Sequence, residues 1–306
     1  MAVKLHCVIA GVYKSGTSSL YRYLADHPAI IPSKIKETAY FLKASSYEQY
    51  LAMFGDGKKN HCMMEASPGY FSSEQALQNM KAALPPESLV IIVLRSPTER
   101  FMSFYSYYQN NYRLLPGVAQ YDIHSPEDFF NLCSHHQTPQ DPVLSQLSEG
   151  LYLEQIIKWH KAFGKKLLII FFDDLKQKPL PTMSKICEAL GIDGSFYQHY
   201  KFDVHNQTIS YKFKLLQQIA VLFNKKFEYL LRKYPKAKDF LRSIYYACNQ
   251  SSDVKKNNVL SSKQIDDFYS TYNLQLHHYL TQSMNYPAEK LPEWLSVRNS
   301  SRNNLA

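Results

Sequence analysis

Residues 6–20, HCVIAGVYKSGTSSL, set a short apolar run, a small-residue loop and the start of an amphipathic helix in direct succession. Val8, Ile9 and Ala10 read as a buried strand. Gly11 and Gly16 bracket a loop carrying Lys14 and Ser15, and Thr17, Ser18 and Ser19 lead into Leu20, Tyr23 and Leu24 at helical spacing. Such a junction is a ready anion site. Unpaired backbone N–H groups and the positive helix end point into the loop. Gly16 admits a close approach of the backbone, and Lys14 adds a full charge. The lysine precedes the second glycine, whereas the Walker pattern G-x-x-x-x-G-K-[ST] places it after. The loop therefore points to a phosphate or sulfate ligand and away from an ordinary ATP or GTP site.

The rest of the chain fits a parallel α/β architecture. Residues 89–94, LVIIVL, and 167–172, LLIIFF, are continuous apolar runs of the kind buried on both faces of a parallel sheet. Shorter strands are expected at 29–32 and 62–65. Helices are expected from Thr17, at 45–54, at 74–83, after Ser96-Pro97, at 150–163 and at 181–190, the last stopped by Gly191. Alternation of this kind gives a central parallel sheet flanked by helices. Arg95 ends the clearest strand, where open α/β sheets place their ligands. Residues 110–142 read as a polar, proline-punctuated excursion on the acceptor side. The expected organisation is one domain over 1–306, with a cofactor-binding core at 1–191 and a mostly helical C-terminal part at 192–306. Residues 211–256 hold eleven Lys/Arg against three acids, much of the chain's +9 excess, and predict two helices at 211–233 and 235–247. A polar loop at 251–258 and a last helix at 261–284, capped by Ser261 or Ser262, complete the pattern.

Net positive charge fits an anionic ligand without naming one. The five cysteines, Cys7, Cys62, Cys133, Cys187 and Cys248, form no C-x-x-C pair, so no metal site is expected and a reducing, cytoplasmic setting is. No apolar run approaches the ~20 residues that span a membrane.

Three stretches converge on one family: GVYKSGTSSL, then KETAYF at 36–41, then LRSPTERFMSFYSYY at 94–108. Together they resemble the sulfotransferases that use 3′-phosphoadenosine 5′-phosphosulfate (PAPS), most similarly the carbohydrate enzymes of the heparan sulfate type. EASPGYF at 65–71, the aromatic run at 150–163 and the strand ending in DDL add to the likeness, which covers about 3–191. The resemblance implies a P-loop-like three-layer fold, PAPS as donor and PAP as product, with no metal. It implies that Lys14, Ser15, Gly16, Thr17 and Ser18 hold the 5′-phosphosulfate, and that Arg95 and Ser103 hold the 3′-phosphate. Lys255 and Lys256 stand as the substitute for the family's later basic loop. Glu37 takes the role of general base beside Lys14, and Lys36, Tyr40, Glu65 and Tyr152 line the acceptor site. His124, His135 and His136 remain rival bases, since cytosolic members use a histidine.

Two departures narrow the acceptor. Glycosaminoglycan members commonly carry a lysine where Ala66 stands, and the membrane anchor of Golgi members is not expected here. The pattern reads as a soluble bacterial enzyme of secondary metabolism acting on a small natural product or a sugar, with no nucleic-acid or membrane partner. The competing readings are a P-loop-type small-molecule kinase, which needs the Walker lysine, and a non-catalytic anion or nucleic-acid binding protein built on the basic run.

Overall fold

The apolar runs of the sequence become β1 (His6–Gly11), β2 (Ile30–Pro32), β3 (Cys62–Ala66), β4 (Leu89–Leu94) and β5 (Leu167–Phe171) in the computed structural model. The structure describes residues 6–55, 62–114, 121–136, 141–203, 210–211, 250–251 and 259–296. The five strands form one sheet in the order β2-β3-β1-β4-β5, every neighbouring pair parallel. Strands this apolar need cover on both faces, and they have it. On one face Val8, Met63, Val90, Ile92, Leu94 and Phe171 pack with Leu77 and Met80 of α3 (Glu74–Ala83) and Ile156 and Trp159 of α6 (Leu153–Phe163). On the other, Cys7, Ile9, Met64, Ile91, Val93 and Ile170 pack with Leu20 and Leu24 of α1 (Thr17–Ala25) and Met183, Ile186 and Leu190 of α8 (Pro179–Leu190). The result is the expected three-layer fold. Its layers are pinned by single bonds such as Trp159 Nε1 to the Phe71 carbonyl at 3.0 Å.

Strand order decides where a ligand can sit. From β1 the chain moves to one side of the sheet, towards β3 and β2; from β4 it moves to the other, towards β5. The loops leaving β1 and β4 therefore part from each other at their carboxyl ends. Such a topological switch point is where open α/β sheets bind ligands. These are the loops that carry Lys14 and Arg95.

Two compact units divide the chain. The sheet belongs to the first, Met1–Pro97, Leu151–Asn206 and Asp266–Ala306; the second is Thr98–Gly150 and Gln207–Ile265. The second holds α5 (Pro126–His135) and nearly all of α4 (Pro97–Asn110), joined by stacked Phe101 and Phe129 rings 4.5 Å apart.

Several expectations need correction. Residues 110–142 are not wholly irregular, because α5 runs through them. Ser125 and Asp128 form a reciprocal capping box, and Phe129, Phe130 and Cys133 are buried on one helical face. The last helix, α9 (Val259–Gln282), starts before Ser261 and Ser262, which lie within its first turn instead of at its cap position. Phe172 leaves β5 to open α7 (Phe172–Gln177), so the DDL run is helical. The helix expected at 45–54 shortens to α2 (Tyr47–Leu51), capped by Ser46. Tyr211 and Ser251 sit in a two-residue antiparallel pairing, Ser210–Tyr211 with Gln250–Ser251. The helices expected across 212–247 lie outside the described residues, as do Cys248, Lys255 and Lys256.

Candidate active site

The loop leaving β1 is tightly wound. Lys14 takes a left-handed backbone with φ 67°, and Gly16 takes φ 84°. Gly16 stands at the N-cap of α1 with no side-chain cap, so no side chain competes with an outside acceptor for the amides that open the helix. The glycine is required twice. Its φ disfavours any L side chain, and a Cβ would lie 2.7 Å from Cδ2 of the Phe172 ring. Ser15 is fully buried, and its hydroxyl has no hydrogen-bond partner. An orphaned hydroxyl beside unfilled helix amides and a lysine is the donor set that an anionic group needs. The residues present therefore fit the 5′ anion expected from the sequence.

Arg95 leaves the end of β4 and closes back on this loop. Its Nη1 donates to the Lys14 carbonyl at 3.1 Å, and its guanidinium lies 4.5 Å from the centre of the Phe172 ring. Tyr152 fixes the strand end from behind, its hydroxyl donating to the Arg95 carbonyl at 2.9 Å. Burial, and next the Arg95 charge, push the Lys14 ammonium down to about 8; Glu37 pulls in the opposite direction. Two cations held this close repel each other, and a polyanion relieves that repulsion.

The third component comes from the loop after β2, where it crosses the end of β3. Glu37 has φ 63° and Ala39 φ 51°, both left-handed. The Glu37 amide donates to the Ala66 carbonyl at 2.9 Å, which ties the segment to the strand end. The Glu37 carboxylate is exposed and pairs with Lys36 at 2.5 Å. Glu65 is fully buried one layer beneath. Its Oε2 accepts from Thr38 Oγ1 at 2.7 Å and Ser67 Oγ at 2.9 Å, while Oε1 has no partner. Burial raises the Glu65 carboxyl above the usual carboxylate range, and bonds from Thr38, Tyr70 and Ser67 together with the Lys36 charge hold it back. Tyr40 is buried, and its hydroxyl donates to the Ser46 carbonyl at 2.8 Å.

The first unit thus brings together Lys14, Ser15, Gly16, Lys36, Glu37 and Arg95. Glu65, Tyr40 and Tyr152 stand behind that surface. Ser103 lies half-buried on α4, in the second unit. The rival histidines are also in the second unit: His124 is exposed and pairs with Asp122 at 2.7 Å, His135 bonds the Asn131 carbonyl at 2.7 Å, and His136 is exposed at the end of α5. Thr38, Ser67 and Phe172 were not singled out from the sequence. The doubled phenylalanine closing the LLIIFF run was the available signal for Phe172, because a residue just past a strand end faces the ligand side. No group of His, Cys, Asp or Glu among the described residues is arranged to hold a metal ion.

Comparison with known proteins decides the family. The sulfotransferase domain family matches residues 4–233. The chain belongs to the sulfotransferase family. A bifunctional heparan sulfate N-deacetylase/N-sulfotransferase 4 of Mus musculus is 28% identical over 209 residues, covering 64% of this chain and 23% of its own length. A human heparan sulfate glucosamine 3-O-sulfotransferase 6 is 25% identical over 193 residues, covering 60% of this chain and 52% of its own. This sulfotransferase therefore spans about a quarter of the first relative and half of the second. Its fold is shared with a sulfotransferase from Alicyclobacillus acidocaldarius, with a TM-score of 0.54, 21% identity, and coverage of 76% of this chain and 95% of that one. Lys14 and Arg95 lie within the matched residues, and the donor used by the family is PAPS. No helix among the described residues is long and apolar enough to cross a membrane.

Proposed function

We propose that this sulfotransferase moves the sulfuryl group of PAPS to a hydroxyl or amine of a small-molecule natural product or a sugar, with Glu37 as general base. The observation that carries the reading is the electrostatic meeting of Lys14, Arg95 and Glu37, which come from the loops after β1, β4 and β2. Lys14, the Ser15 hydroxyl and the amides of 16–18 hold the 5′-phosphosulfate. Arg95 forks onto the 3′-phosphate. The acceptor proton passes to the Glu37 carboxylate as the new bond to sulfur forms. The bond from sulfur to the bridging phosphate oxygen breaks, and PAP leaves with its charge held by Lys14 and the loop. Charge stays on peripheral oxygens throughout, so the protein contributes positioning and electrostatic stabilisation.

The acceptor class follows from what surrounds Glu37. Ala66, fully buried at the end of β3, supplies no cation, and Ile35 presents apolar surface beside Lys36. Both favour an acceptor less anionic than a glycosaminoglycan chain. Glu37→Gln tests the assignment of the base. Nucleotide affinity stays near the parent value while kcat falls by ~10²–10⁴-fold. Turnover within a few-fold of the parent would remove Glu37 from the role and move the search to His124, His135 and His136.

A further inference from the structure

Glu65 is spent on the fold in an unusual way. A fully buried carboxylate with one bare oxygen is costly, and an apolar residue of similar shape would serve the core at least as well. What the carboxylate does instead is orient two hydroxyls. Thr38 Oγ1 and Ser67 Oγ both donate to its Oε2, at 2.7 and 2.9 Å. With their protons committed, their lone pairs are free to accept backbone amides. Ser67 Oγ takes the Ala39 amide at 3.0 Å, and Thr38 Oγ1 takes the Tyr40 amide at 3.2 Å. The Tyr70 hydroxyl adjoins the same Thr38 oxygen at 3.2 Å and receives the Phe41 amide at 3.2 Å. One buried charge thus polarises a branched set of bonds that ends on consecutive backbone amides just past Glu37. The segment they belong to is left-handed at Glu37 and Ala39, a conformation that persists only when its surroundings impose it.

We propose that Glu65 is a positioning residue of the sulfuryl-transfer reaction: its carboxylate, acting through Thr38 and Ser67, holds the 37–40 backbone so that Glu37 faces the acceptor. The inference rests on the reading of Glu37 as base. Glu65 has no exposed surface with which to contact the acceptor, so its action runs through the clasp. Ser67 supplies one arm and Thr38 the other, and loss of either frees an amide of the strained segment.

The test uses the full chain with PAP bound for exchange, and labelled PAPS with glucosamine as the probe acceptor for turnover. Thr38→Val keeps the shape and removes one hydroxyl, Thr38→Ser restores it, and Glu65→Gln removes the charge. Expected for Thr38→Val and Glu65→Gln are faster hydrogen exchange confined to 37–41, PAP affinity within about twofold of the parent, and a kcat lower by about tenfold to a hundredfold, the scale of a small misplacement of a reacting group. Thr38→Ser returns both readouts. In a Glu37→Gln background, Glu65→Gln has no further effect on kcat. Unchanged exchange at 37–41 in Thr38→Val and Glu65→Gln would overturn the clasp whatever Glu37 does. An equal fall in kcat in the Glu37→Gln background would also overturn the proposal while leaving Glu37 as base. Full activity of Glu37→Gln itself would refute the base and the proposal together.

Discussion

Lys14 gives the site a pH signature that can be worked out from the structure. Its ammonium is pushed from the ordinary 10.5 to about 8, first by burial and then by Arg95. In the free protein it is therefore about nine-tenths protonated at pH 7 and about one-tenth protonated at pH 9. A bound polyanion favours the charged form and returns the group towards its ordinary value, so binding above pH 8 takes up a proton. If the bound group titrates near 10.5, affinity for PAP falls about tenfold between pH 7 and pH 9. The ligand adds no slope of its own there, since phosphate completes its second ionisation near pH ~6. The assay is calorimetry of PAP binding at pH 7, 8 and 9 in buffers of different ionisation enthalpy, which counts protons directly. Lys14→Arg is the control, because a guanidinium stays charged throughout and flattens the profile. An affinity flat within about twofold from pH 7 to 9, or no proton uptake at pH 9, would refute a Lys14 contact with the anion. The same shift ties stability to pH with a definite sign. Below pH 8 Lys14 is charged in both states and its burial cost stands in full. Between about 8 and 10.5 the native state sheds the proton first, the unfolded state binds more protons, and the stability of the free protein rises with pH.

Two substitutions probe the loop from either side. Gly16→Ala forces an L side chain into φ 84° and against the Phe172 ring, which lies under Arg95. A thermal scan should show a loss of about 1–2 kcal/mol from the backbone alone, and PAP affinity should fall as well; a stable variant with parental affinity would mean that the loop and ring are not coupled. Arg95→Ala should weaken PAP about tenfold or more, the loss of a charge-assisted bond worth roughly 1.5–3 kcal/mol, and should leave the much weaker binding of ATP nearly unchanged. Equal losses for PAP and ATP would show that Arg95 reads no 3′-phosphate.

Much of this was legible in the chain. LVIIVL became β4 and all but the last residue of LLIIFF became β5, because continuous apolar runs of that length have few other uses, and Gly191 ended α8 with the left-handed turn its position implied. The anion loop was legible because its signal is local: glycine, lysine and a helix start within a few residues. α5 was missed although Ser125 and Asp128 spell a capping box, because the flanking prolines and polar residues masked the apolar face of Phe129, Phe130 and Cys133. Ser261 and Ser262 misled for the opposite reason, since a good cap residue is only a local preference and α9 overrides it. Glu65 and Tyr152 were named as lining the site, but their supporting role was not legible. The sequence presents Glu65 as an acid in an apolar stretch, but Thr38, Ser67 and Tyr70 meet its environment only once β3 lies in the sheet and 37–41 folds over its end. Phe172 meets Gly16 and Arg95 for the same reason, because sheet order, not sequence distance, brings the end of β5 to the switch point.

The most direct measurement is transfer from ³⁵S-labelled PAPS, in EDTA and without added magnesium, to a panel of amines, hydroxylated natural products, sugars and heparan-type oligosaccharides. The account predicts label on a small-molecule or sugar acceptor, with one PAP formed for each group transferred and the signal lost in Lys14→Met and Arg95→Ala. Label on none of the panel, or transfer of a γ-phosphoryl group from ATP once magnesium is restored, would contradict it.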